Sequence, residues 1–225
     1  MKRKASFQQN EANKTAPRGT AGSVATTSPH QNFLRRLPLA LLVAMMAWAL
    51  MLRPAIDVAV AGLAQTLIRA FEYPRVTRLV VVQEHRVEVR RADFRSDSKI
   101  PTIPLTENNF NTIVLLALYL ALPRPFSRKQ LERLFMGWCV LYLSQSMNLL
   151  FHVKTLYAIG LGEWSQQNYS EFARNFFGFW RYFTDLPGRF SFPFLIWLGF
   201  NWDLVMRLLG LGVEPKAQTK TRRAN

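Results

Sequence analysis

"TENNFNTIVLLALYLALP", residues 106–123, sets a packet of polar side chains directly against an apolar run that ends at a proline. The polar residues are Thr106, Glu107, Asn108, Asn109 and Asn111. An apolar run of this kind reads as a helix. Thr106 or Asn108 can cap its first turn, and Glu107 complements the positive end of its dipole. The run is short against the roughly 20 residues that cross the hydrocarbon core of a bilayer. A span over about 108–123 must therefore place its polar start at the membrane interface.

Working outward, three further segments are long and apolar enough to pair with it. They lie at about 37–60, 134–151 and 191–211. The first reaches a full span only if it runs on past Pro54. The pattern predicts a mainly α protein, a four-transmembrane-helix bundle over 37–211, with outside loops at about 61–107 and 152–190. Residues 1–36 are rich in Ser, Thr, Ala, Asn and Gln without an apolar period and read as a disordered basic tail. Residues 212–225 form a second basic tail. "AVAG" at Ala59–Gly62 also resembles a signal cleavage site. The long polar tail ahead of the first segment favours an uncleaved anchor.

The chain has 225 residues, 49% hydrophobic, and net charge +15. That pairing suits a membrane protein with its charge in tails and loops. With the N-terminus in the cytoplasm, residues 1–36, 123–133 and 207–225 carry sixteen Lys and Arg against three acids. The outside loops, taken as 53–107 and 151–189, carry thirteen against ten. The bias places both termini in the cytoplasm, in a multi-pass protein of a bacterial inner (plasma) membrane. The basic tails then face anionic lipid. No nucleic-acid-binding motif accompanies the basic pI, so nucleic acid is not an expected partner.

Two outside segments have their own periods. "RVTRLVVVQEHRVEVRRADF", residues 75–94, alternates at Val87 and Val89 and reads as a small β-hairpin with a run at Leu79–Val82. Its turn near Glu84 and His85 lacks the Gly or Asn that tight hairpins prefer. Residues 55–71 read as a helix on or leaving the membrane. In "NYSEFARNFFGFWRYF", residues 168–183, Phe172, Phe176, Phe179, Trp180 and Phe183 recur at helical spacing. This predicts an interfacial amphipathic helix, or an aromatic lid on the bundle. Ser127 and Gln130 have capping-box spacing, and Phe126 is placed to staple onto Leu131.

Chemistry is sparse. The one cysteine, Cys139, lies mid-helix between Trp138 and Val140 and is expected to pack rather than react. His30, His85 and His152 show no metal-ligand spacing. There is no phosphate loop and no nucleophile elbow, so neither metal nor cofactor is expected. What remains is polar groups within apolar helices. Ser144, Gln145, Asn148 and His152 form a stripe at steps of three and four. With Glu107, Asn108 and Asn111 they make a candidate cluster at the outer face. Asp203 and Arg207 form an i,i+4 pair within the last span. Such groups serve either as interhelical glue or as a functional site.

The order of these features resembles the core of the exosortase and archaeosortase family of membrane cysteine transpeptidases. It covers about residues 76–155: a strand-rich outside loop, a motif at a helix mouth, "LLALYLALP", a basic inner loop, and a helix with a polar stripe ending near Asn148. The departures fall where that family's chemistry resides. "TENNFN" has no cysteine, and Leu149 and Leu150 stand where an arginine is expected. The plan is most similar to the exosortase H-associated membrane proteins. That resemblance implies a non-catalytic integral membrane partner of an exosortase-type envelope protein-sorting system, contacting a sortase-like membrane enzyme or its substrates. Two other classes stay open: a divergent membrane hydrolase or transferase using Glu107 and His152, and a small-solute carrier using Asp203.

Overall fold

The computed structural model describes residues 29–94 and 99–209. The expected tail over most of 1–36 and the tail at 212–225 lie outside the described residues.

The chain is mainly helical. Helix α1 (Pro29–Ala47) passes through a π-turn at Trp48–Leu52 into α2 (Arg53–Ala70), so the first apolar segment does continue past Pro54. The reason is local. Pro54 has no N–H and its ring crowds the carbonyl four residues back. The wider turn, with Arg53 N–H donating to Trp48 O, makes room for it. The uninterrupted stretch Gln31–Ala70 has 40 residues, about 60 Å at 1.5 Å per residue. That is roughly twice a hydrocarbon core.

A three-stranded antiparallel sheet follows, in the order β1 (Thr77–Val82), β2 (Arg86–Arg91), β3 (Thr102–Pro104). The hairpin expected from the sequence is its first two strands, in register Leu79↔Val89 and Val81↔Val87. The third strand pairs Ile103 with Val87. Leu79, Val87 and Val89 are buried, while Arg78, Arg86 and Arg90 face outward. The buried face packs on Val60, Ala64 and Ile68 of α2. Gln65 Oε1 accepts from Leu79 N at 2.8 Å, and Arg69 Nε donates to Thr77 O at 2.7 Å, so α2 also holds the edge of β1. The turn lacks glycine, and Glu84 and His85 take positive φ, 64° and 57°, in its place.

Helix α3 (Thr106–Asn109) and α4 (Asn111–Leu120) run inward from the sheet. Helix α5 (Arg128–Ile159) is one 32-residue helix, longer at both ends than the span read from sequence. Ser127 is its N-cap by backbone angle, but the capping hydrogen bond is not formed. Phe126 is exposed rather than stapled. Helix α6 (Glu163–Asn168), α7 (Glu171–Phe183), α8 (Arg189–Phe200) and α9 (Trp202–Leu208) complete the described chain. The last expected span, 191–211, is broken. Asn201 ends α8, its Nδ2 donating to Trp197 O at 3.0 Å while Arg133 Nη1 reaches its Oδ1 at 3.4 Å.

Two apolar cores stack along α5. The larger joins α2, the sheet and the second half of α5 through Ile68, Val87, Leu149, Val153 and Tyr157. The smaller joins α4, α8 and the first half of α5 through Leu115, Leu122, Leu141 and Trp197. Gly137 permits that second contact, since a Cβ there would meet Ile196 Cγ2 at 3.2 Å. Among the described residues two helices are long and apolar enough to cross a membrane, Gln31–Ala70 and Arg128–Ile159. Their outward residues are apolar: Leu39, Leu42, Met46 and Met51 on the first, Phe135, Met136, Val140 and Leu143 on the second. Helix α4, at 10 residues, is shorter than a span, while α8 continues α7 through a π-turn at Thr184–Gly188.

Candidate functional site

The polar packet that opens α3 and α4 folds against α2 on one side and α5 on the other. Apolar neighbours on those helices carry the corner inward and desolvate the amides, which must then find partners. Asn108 Nδ2 donates to the backbone carbonyl of Gln145 at 3.0 Å. Gln145 Nε2 donates to Asn111 Oδ1 at 2.6 Å and to Thr112 Oγ1 at 2.8 Å. All four side chains are buried. Asn148 is buried one turn further along α5, and its Oδ1 accepts no hydrogen bond among the described residues.

Glu107 and His152 join a different group. Glu107 is 65% exposed, and Arg189 Nη1 lies 3.4 Å from its Oε2. Arg189 also pairs with Asp185, one turn back along the chain. Asp185 Oδ2 is 3.6 Å from His152 Nε2. Glu107 and His152 therefore stand at the two ends of an ion network rather than face each other. The six candidate residues divide between a buried amide layer and a half-exposed ionic layer, adjoining at residues 107 and 108.

Several contributors carry no sequence pattern that singled them out. Asp57 lies in the apolar run of α2 and is fully buried. Its Oδ1 accepts from Asn109 Nδ2 at 2.6 Å, and its Oδ2 lies 2.6 Å from His85 Nδ1. This ties α2, the β1–β2 turn and α3 together. Arg53, at the head of α2, donates to Thr106 Oγ1, so Thr106 is held by an arginine instead of capping a helix. Leu105 takes the N-cap position of α3. A lone acid within an apolar stretch was the available signal for Asp57, because a buried carboxylate needs partners. Asp185 and Arg189 share an i,i+4 spacing that a charge scan could have found.

Cys139 is exposed on the apolar outer face of α5, not packed in a core as expected. Period explains it: Gly137, Leu141 and Gln145 take the inner face, which leaves Cys139, Val140 and Leu143 outward. Asp203 lies on α9 beyond the break at Asn201 and is exposed. The side chain of Arg207, its expected partner, lies outside the described residues. No group of three or more His, Cys, Asp and Glu side chains able to hold a metal occurs among the described residues.

Helix α7 is amphipathic, capped by Ser170, whose Oγ accepts from Ala173 N at 3.3 Å. Phe172, Phe179 and Tyr182 face outward, whereas Trp180 stacks on Phe151 of α5 at 5.7 Å.

A family model described as exosortase H-associated membrane protein matches residues 27–204, most of the chain. No curated protein and no solved structure matches it.

Proposed function

The chain belongs to the exosortase H-associated membrane protein family, and from that premise we propose that it is a non-catalytic integral membrane partner of an exosortase-type envelope protein-sorting system. In this reading it crosses the bacterial inner membrane four times, at about 37–60 in the α1–α2 stretch, 108–123 in the α3–α4 corner, 134–151 in the middle of α5, and 191–211 along α8 with α9. Both termini are cytoplasmic. Its partners are lipid and a sortase-like enzyme or the substrates of that enzyme.

The observation that carries the reading is what occupies the mouth of α4. Asn108 and Asn111 are bonded to Gln145 and Asn109 to Asp57, while the exposed Glu107 carboxylate lies 3.4 Å from Arg189. Asn and Gln amides are neither nucleophiles nor proton-transfer groups, so their mutual hydrogen bonds support a bundle-stabilising role. The thiol of the chain stands elsewhere, on the outward face of α5.

The test is co-purification of the tagged full chain with the exosortase-type enzyme of the same cell, together with sorting of that enzyme's substrate. Recovery of the enzyme, and sorting that falls when the chain is deleted, are expected. Failure of both overturns the proposal. One observation favours a second reading, a hydrolase or transferase: Glu107 and His152 share a network through Arg189 and Asp185. That reading requires Glu107→Gln to abolish turnover in a protein that still accumulates.

A further inference from the structure

Helices α7 and α8 meet at the π-turn Thr184–Gly188, which carries Pro187. Proline has no N–H to donate, and a π-turn is a place where a helix bends. The direction of such a joint depends on the contacts that hold it. Asp185, inside the turn, makes two of them. Its Oδ1 accepts from Arg189 of α8, and its Oδ2 lies 3.6 Å from Nε2 of His152 on α5. Arg189 Nη1 reaches on to Glu107 of α3 at 3.4 Å. Arg181, one turn before Asp185 on α7, presents its charge to the same imidazole. Among the described residues the ring is thus faced by one carboxylate and two guanidinium groups, with Glu107 standing beyond Arg189.

His152 is the member of this group whose charge changes near neutral pH. Its side chain is only 16% exposed. Burial penalises the imidazolium, Asp185 favours it, and Arg181 and Arg189 oppose it. The balance lowers its pKa below the ordinary histidine value. An imidazolium gains little from Asp185, because that carboxylate already serves Arg189 and 3.6 Å is longer than a hydrogen bond. The folded molecule therefore favours the neutral ring. The stability this contributes is present above the ordinary histidine pKa and is lost as the pH falls through the lowered one.

The seat of α7 on α5 adjoins this contact. Trp180, five residues before Asp185, stacks at 5.7 Å on Phe151, the neighbour of His152. Thr155 Oγ1 donates to Phe177 O at 3.0 Å. We propose that the His152–Asp185 contact is an acid-sensitive latch: protonation of His152, against Arg181 and Arg189, releases the π-turn from α5 and loosens the joint between α7 and α8. In the proposed topology the latch lies at the outer end of the α5 span, on the side that meets the medium. It goes beyond the partner role and operates with or without an exosortase-type enzyme.

The experiment is electron paramagnetic resonance of the full chain in neutral detergent. The spin label is carried by Leu186→Cys, a position in the turn that is 52% exposed, in a Cys139→Ala background. Between about pH 8 and pH 5 the label is expected to pass reversibly from a slow to a fast spectrum, with its midpoint below the ordinary histidine value. His152→Gln is expected to abolish that transition while keeping the slow spectrum. Arg181→Gln removes a charge that opposes the imidazolium and is expected to move the midpoint to higher pH, a shift that a merely structural contact does not produce. A transition that persists in His152→Gln overturns the latch. So does a label that slows in acid, or a spectrum that stays constant over the whole range. Where His152→Gln fails to accumulate, the Arg181→Gln titration decides, and an unmoved midpoint overturns the proposal.

Discussion

Buried and exposed charges in this molecule differ in what their removal does. Glu107 is mostly in solvent, and its pairing with Arg189 is long. Exposed pairs contribute about 0–1 kcal/mol. Glu107→Gln keeps the shape and is expected to leave both the melting temperature and partner recovery close to the parent's. Asp57 is the opposite case. Its two oxygens serve Asn109 and His85 from a fully buried position. Asp57→Ala leaves both partners unsatisfied, and hydrogen bonds to a charged group contribute roughly 1.5–3 kcal/mol each. Thermal unfolding in detergent should show a loss of about 3 kcal/mol, with the β1–β2 turn first to lose protection against hydrogen exchange. A melting temperature equal to that of the parent chain would show that Asp57 does not hold the turn. The contrast explains what the sequence could reveal. Asn108, Asn111 and Gln145 were visible because amides at a helix mouth and along one stripe of a helix are periodic features. The pairing of Asn109 with Asp57 was not, because it depends on where α2 passes and no local spacing encodes that.

At the level of elements, legibility followed the length of the repeat that specifies each one. The α7 period extends over 13 residues and predicted its helix. Strand β3 has three residues and exists only because Val87 and Glu88 offer it an edge. The β1–β2 hairpin was visible from its alternation, and its turn was not, since two non-glycine residues adopt positive φ there. Tertiary contacts support that geometry: Leu105 N donates to His85 O at 2.9 Å, and the His85 ring is held by Asp57. In α7, Trp180 packs inward on Phe151, as a lid would, while Phe172 and Phe179 face out. Cys139 is the one cysteine and is exposed, so Cys139→Ala gives a thiol-free chain without opening a void. The change is expected to alter stability by no more than about 0.5 kcal/mol. Single cysteines introduced in that background at Phe172 and Phe179, carrying a fluorescent label, should be quenched by a lipid-soluble agent. Labels at Arg174 and Arg181 should respond to a water-soluble one. Equal response at all four positions would remove α7 from the interface.

For the molecule as a whole, the governing mismatch is between helix length and bilayer thickness. The α1–α2 rod is about 60 Å long and α5 about 48 Å, against roughly 30 Å of hydrocarbon. In the proposed topology both project beyond the outer face, and the projecting parts share a core with the sheet. Charge supports the outer face in that topology. Residues 1–36, 123–133 and 207–225 hold sixteen Lys and Arg with three acids. The projecting side, although rich in arginine, balances it with carboxylates, as Arg91 does with Glu72 and Asp93. Lys and Arg close to helix ends orient a chain, while longer loops carry weaker weight. The projecting domain is thus expected on the outside. Reporter fusions after residues 100 and 170 should be active only in the periplasm-facing assay, and fusions after 128 and 225 only in the cytoplasmic one. The decisive measurement is the pair at 170 and 225. Helix α8 continues α7 through a π-turn at Thr184–Gly188 and is separated from α9 by Asn201, and in the proposed topology α8 with α9 returns the chain to the cytoplasm. A fusion at 225 reading outside would leave α8 and α9 on the outer surface, make the bundle three-span, and place the C-terminal basic tail against the outer leaflet.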